Sequence, residues 1–182
     1  MVDSEILLNR ITRIIAATRF PFIDQENWSE DRRTVVNDEN KRFGIKWEGG
    51  IIYPSIVIFN GDGSVREYGL VEPAEAISEE IIDKWRTMSD VAPYGRKYKK
   101  LFFYVPVGYE EATLRILEEN DIEFDGIRGY RIESGSLKII PYKTLNDEYD
   151  HQITKSYPLS GISLNIFMAF FNKMGDKTTL LE

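Results

Sequence analysis

Ile51-Ile52-Tyr53-Pro54-Ser55-Ile56-Val57-Ile58-Phe59, then Asn60-Gly61-Asp62-Gly63-Ser64, then Val65-Arg66-Glu67-Tyr68-Gly69-Leu70-Val71 is the stretch on which the fold turns. The first segment is almost continuously apolar and β-branched, as expected of a strand buried on both faces rather than one alternating between core and water. The second supplies the glycines and short polar side chains of a tight hairpin, and Val65 to Val71 returns as its partner strand. Pro73 ends that strand. Asp62 belongs to the turn, where Asp hydrogen-bonds its own backbone, and is read as structural.

Upstream, Asp3 or Ser4 can cap a helix, and Leu7, Ile11, Ile14, Ile15 and Thr18 fall on one helical face up to about Arg19. Residues 24–42 are charged and aperiodic apart from Val35-Val36, which suggests a surface loop with a short strand. Phe43 to Trp47 reads as another short strand, ending at Gly49-Gly50. Downstream, Ser78 starts a helix whose apolar face is Ile77, Ile81, Trp85 and Met88. Leu101 to Pro106 is a strongly apolar strand, and Tyr109, Ala112, Ile116 and Leu117 mark a third helix that Asn120 could end. Ile127–Ile132 and Leu137–Tyr142 make a final hairpin. This order predicts an α/β protein in α/β/α layers, a mixed central sheet flanked by helices. Residues 1–144 form that domain. Residues 145–182 read as a polar linker and an apolar C-terminal helix, Ile162 to Met174, which covers its own domain or packs against a second copy as a homodimer.

Composition narrows the function. With 42% apolar and 29% charged residues in 182, the chain can bury an ordinary globular core. It has no cysteine, which excludes disulfides, thiolate metal sites and a cysteine nucleophile. Acidic residues stand where a signal peptide would be basic, so a cytoplasmic protein is expected. The apolar run at 162–174 is about 13 residues, short of the roughly 20 that cross a bilayer, so no membrane partner is expected. A net charge of −7 disfavours general attraction to nucleic acid and demands a local basic patch for any such contact. Gly61 and Gly63 fit a hairpin rather than a phosphate loop. His151, the single histidine, stands in the linker without a nucleophile or zinc constellation.

Tyr53 to Phe59, Gly69-Leu70-Val71-Glu72-Pro73, Asp83-Lys84-Trp85 and Leu101-Phe102-Phe103-Tyr104-Val105-Pro106 resemble the PD-(D/E)XK, or restriction-endonuclease-like, nuclease superfamily. The resemblance covers roughly Ser4 to Tyr142. It implies a helix, a three-strand meander, a helix and a further strand, with two carboxylates and a lysine gathering Mg²⁺ to activate water against a phosphodiester. The motif is degenerate here. Ser55 follows Pro54 where the family has Asp, Leu70 stands at the second acid, and Glu72 replaces the lysine. A register shifted by two makes Glu72 the metal-binding acid and Ala74 the lysine equivalent. Glu5 on the first helix could add a ligand, and Glu67 or Glu80 could join a migrated set. Arg96, Lys97, Lys99 and Lys100 around Tyr98 form a basic stretch that could meet phosphates.

The resulting expectation is an endonuclease-like domain, catalytically degenerate, that binds nucleic acid or a protein. The alternatives are an active Mg²⁺-dependent DNA nuclease and a protein-interaction dimer with no nucleic-acid role. No cofactor is expected, or Mg²⁺ if the chain is active.

Overall fold

The computed structural model describes residues 4–19, 33–47, 49–91, 100–145 and 155–158. Its elements in chain order are α1 (Ser4–Arg19), β1 (Arg33–Val36), β2 (Ile45–Trp47), β3 (Gly50–Ile52), β4 (Ile56–Phe59), β5 (Val65–Val71), α2 (Ile82–Asp90), β6 (Lys100–Pro106), α3 (Glu110–Glu119), β7 (Gly126–Glu133), β8 (Ser136–Thr144) and β9 (Lys155–Pro158). The seven strands β1-β4-β5-β6-β7-β8-β9 form one sheet in that spatial order, and β2 and β3 form a separate two-stranded sheet. Strands β1, β4 and β5 are an antiparallel meander. Strands β5, β6 and β7 run parallel, joined by α2 and α3. Parallel neighbours need such crossovers, whereas β7 and β8 meet through the two-residue turn Ser134-Gly135. Both turn residues have positive φ, 51° and 74°, as a type I′ turn requires.

The sheet is apolar on both faces, and alternation along each strand divides its side chains between two cores. Tyr68, Leu70, Leu101, Phe103, Val105 and Ile127 pack with Trp85 and Met88 of α2 and Leu117 of α3. Ile56, Ile58, Val71, Phe102 and Tyr104 pack on the other face with Ile11, Ile14, Ile15 and Ala16 of α1. The architecture is therefore a mixed sheet with α1 on one side and α2 and α3 on the other. Trp85 anchors its side, fully buried and edge-to-face with Phe103 at 4.8 Å between ring centroids.

The apolar stretch from Ile51 to Phe59 is not one strand. It divides into β3, which pairs with β2, and β4, which enters the main sheet, with Tyr53-Pro54-Ser55 between them. Pro54 has no N–H for a ladder, and a buried side chain captures its carbonyl. Asn37 Nδ2 donates to Pro54 O at 2.7 Å and to Phe43 O at 2.6 Å, while its Oδ1 accepts the Phe43 N–H at 2.8 Å. The Asn37 backbone N–H donates to Ser55 O at 2.9 Å. One carboxamide thus clamps both flanks of the β2–β3 hairpin to the end of β1.

Smaller differences have local causes. The second helix is preceded by a 3-10 turn, Glu79–Ile81, and Ser78 makes no side-chain cap bond. Asn120 Nδ2 does return to Ile116 O at 2.9 Å, but the left-handed residue ending α3 is Asp121 at φ 51°. The sheet also continues into the stretch read as a polar linker, because Lys155–Pro158 pairs with β8. The apolar segment 162–174, His151, Arg96, Lys97, Tyr98 and Lys99 lie outside the described residues. No helix among the described residues is long and apolar enough to cross a membrane.

Replacing Asn37 by Ala would leave the Phe43 N–H and two carbonyls without their buried partner. Urea unfolding should show a loss of about 2–4 kcal/mol. Asn37→Asp should be similarly destabilised, since a carboxylate cannot donate to Phe43 O or Pro54 O.

Candidate functional site

Because β5, β6 and β7 are parallel, they end at one edge of the sheet, and antiparallel β4 begins there at Ser55. In open α/β sheets ligands gather beyond the carboxyl ends of parallel strands. At this edge the first turns of α1 lie over a groove of about 530 Å³. Leu7, Leu8 and Ile11 line it from α1, and Pro73, Pro106 and Ile132 from the strand ends. Its charged lining is Glu5, Glu75 and Arg131, and Arg131 also reaches Glu133 at 3.5 Å. The groove is thus apolar with an acidic bias.

The motif positions are all engaged in the fold. Ser55 Oγ accepts the Val71 N–H at 2.9 Å, so this hydroxyl joins β4 to the end of β5. Leu70 is fully buried against the α2 side. Glu72 is 3% exposed, and its Oε1 accepts from Lys84 Nζ at 2.6 Å and from Trp85 Nε1 at 3.3 Å. Its backbone is equally committed, with the N–H donating to Tyr104 O at 3.0 Å and the carbonyl accepting from Tyr130 OH at 2.9 Å.

The Glu72 carboxylate therefore points to α2, whereas Glu5 rides on α1 across the sheet. Alternation places Glu67, in mid-β5 and buried, on the same side as Val71, the α1 side. Glu80 is exposed in the 3-10 turn before α2. The sheet thus keeps Glu72 apart from Glu5 and Glu67. Among the described residues no three Asp, Glu, His or Cys side chains converge on a metal position. Ala74 lines the groove, and Lys100 opens β6 opposite Glu67 in register. Asp62 accepts the Ser64 N–H at 3.0 Å within its turn, as read.

Two titrating groups report the local field. Burial, then the Glu72 and Glu75 carboxylates, push the Tyr130 phenol well above its ordinary value. Burial alone pushes Tyr68 up to about 12. At the foot of the hairpin, burial works to raise the Asp38 carboxyl. The Asn40 N–H at 3.0 Å and the Arg13 guanidinium at 2.8 Å outweigh it and leave Asp38 below the usual carboxylate range.

No protein-family model, curated protein or solved structure matches this chain. Tyr130, Glu75 and Arg131 went unnoticed in the sequence because nothing in their spacing announces a groove. Lys41, Lys46 and Trp47 carried a legible signal, cations alternating with aromatics, that the strand reading of Phe43–Trp47 passed over.

Two outcomes follow from this geometry. Glu72→Ala should lose about 2–3 kcal/mol in urea unfolding, chiefly because the buried Trp85 N–H loses its acceptor, while Lys84 can turn to water. Raised tyrosine pKa values make the folded state hold its phenol protons. Their stabilisation is complete below about pH 10, the unfolded value, and is lost as pH rises through the folded values. Melting temperature should therefore fall above about pH 10, with tyrosinate absorbance appearing together with unfolding.

Proposed function

We propose that this chain is a restriction-endonuclease-like domain that has lost cleavage and serves as a binding module, on nucleic acid first and on a protein partner as the second reading. The observation that carries it is the Glu72 carboxylate, the one acid left at the motif, held by Lys84 and Trp85 on the face opposite Glu5. A general base or metal ligand needs a carboxylate that can face substrate, and this one is occupied with joining strand to helix. The scaffold supports the fold half of the reading, since α1, the meander β1-β4-β5, α2 and parallel β6 stand in the order that the family's core has. Nucleic acid is placed first because the carboxyl edge exposes Lys41, Lys46 and Trp47. The acidic, apolar groove beside it favours the protein reading.

The test is incubation of the full chain with single-stranded, duplex and branched DNA in Mg²⁺ or Mn²⁺. Binding without cleavage is expected, in the native chain and in Glu72→Gln alike. Metal-dependent cleavage that Glu72→Gln abolishes would overturn the proposal in favour of a nuclease with migrated ligands. Neither binding nor cleavage would leave the protein-interaction reading in front.

A further inference from the structure

Residues 40–47 carry three cations, Lys41, Arg42 and Lys46, with Phe43 and Trp47 and no acid, in a chain of net charge −7. The fold sets this segment apart, because β2 and β3 stand outside the main sheet, between the end of β1 and the start of β4. Lys46 faces Ile51 across the hairpin and Trp47 faces Gly50, so Lys46 and Ile51 share one face and Trp47 shares the other with Ile45. Ile45 and Ile52 root the hairpin in the core, whereas Lys46 is exposed and Ile51 and Trp47 are 44% and 38% exposed.

Two glycines allow this presentation. A Cβ on Gly44 would lie 2.5 Å from Ile51 Cγ2 and 2.9 Å from Tyr53 Cε1, so the bare backbone lets both side chains settle over it on the Lys46 face. Lys41 Nζ stands 5.5 Å from the Tyr53 ring centroid. A Cβ on Gly49 would lie 2.6 Å from Trp47 Cε2, so the indole has backbone behind it and solvent before it. The foot of the hairpin is fixed by the Asn37 clamp and by Arg13 to Asp38 at 2.8 Å.

We propose that the β2–β3 hairpin is a contact for single-stranded nucleic acid, in which Lys41 and Lys46 meet backbone phosphates and Trp47 and Tyr53 stack on bases. This rests on the reading of the chain as a non-cleaving nucleic-acid module. Stacking on a side chain needs a base released from its pair, which a single strand offers and a duplex withholds. The net negative charge sharpens that choice, since duplex DNA packs phosphates about twice as densely along its axis. Lys46 and Tyr53 on one face of the hairpin and Trp47 on the other match a phosphate-linked chain of aromatic bases passing over it better than a purely apolar protein surface. The clamp at the foot means that little conformational freedom is lost on binding.

The experiment is fluorescence anisotropy of a labelled homothymidine oligonucleotide with the full chain over rising salt. Lys46→Glu should weaken binding about tenfold and flatten the salt slope by about one. Trp47→Ala should weaken it about fivefold or more. Lys46→Glu should melt like the native chain, because that side chain is exposed, and Trp47→Phe keeps a ring over Gly49 so that lost stacking is separated from lost packing. Binding should quench the native tryptophan fluorescence, and Trp47→Phe should lose that quenching. Native-strength binding by all these variants would overturn the hairpin assignment and leave the binding reading intact. Preference for duplex over single strand would overturn the single-strand assignment alone. No binding of any oligonucleotide by the native chain would overturn both.

Discussion

A carboxylate inside an apolar sheet has to be met by donors, and the way Glu72 is met organises much of this molecule. Lys84 and the Trp85 indole reach its side chain from α2, Tyr104 of β6 takes its N–H, and the Tyr130 hydroxyl of β7 reaches its carbonyl. Three elements converge on one residue at the carboxyl edge. Desolvating an unpaired carboxylate costs several kcal/mol, so these partners are a condition of its burial rather than an embellishment. The same partners occupy its carboxylate.

A second polar residue does the comparable work at the other end of the edge. The Asn37 carboxamide fixes the chain where it leaves β1, where it approaches β2 and where it re-enters β4. Because all these groups are buried and hydrogen-bonded, both flanks of the hairpin are fixed to the end of β1. Arg13 of α1 ties the adjoining turn through Asp38, so the helix on one face and the hairpin at the edge are held as one unit.

The carboxyl edge thus has two chemically different halves. Around α1 and the ends of β5, β6 and β7 it is apolar, with Glu5 and Glu75. Around β2 and β3 it presents Lys41, Lys46 and the Trp47 indole. At the centre of this edge Ser55, Leu70 and Glu72 are all absorbed into packing and hydrogen bonding.

Local pattern determined much of the fold. Continuous apolar runs at 56–59 and 101–106, bounded by turn residues, read as strands buried on both faces, and the spacing of Ile11, Ile14 and Ile15, or of Trp85 and Met88, gives each helix one apolar face, which the structure lays on the sheet. Glycine and short polar residues likewise placed the turns at 60–64 and 134–135. The break at Pro54, the pairing of β3 with β2 and the addition of β9 to the sheet escaped that reading. Each is set by a partner distant in sequence, such as Asn37, whose hydrogen bonds no periodicity encodes. The candidate site divides the same way. That Ser55 follows Pro54 and that Glu72 stands two residues after Leu70 is written in the residues themselves, because chemistry depends on residue type. That Glu72 turns toward α2 while Glu5 stands across the sheet was decided by tertiary structure alone, since the face a side chain occupies is known only once strand and helix are packed.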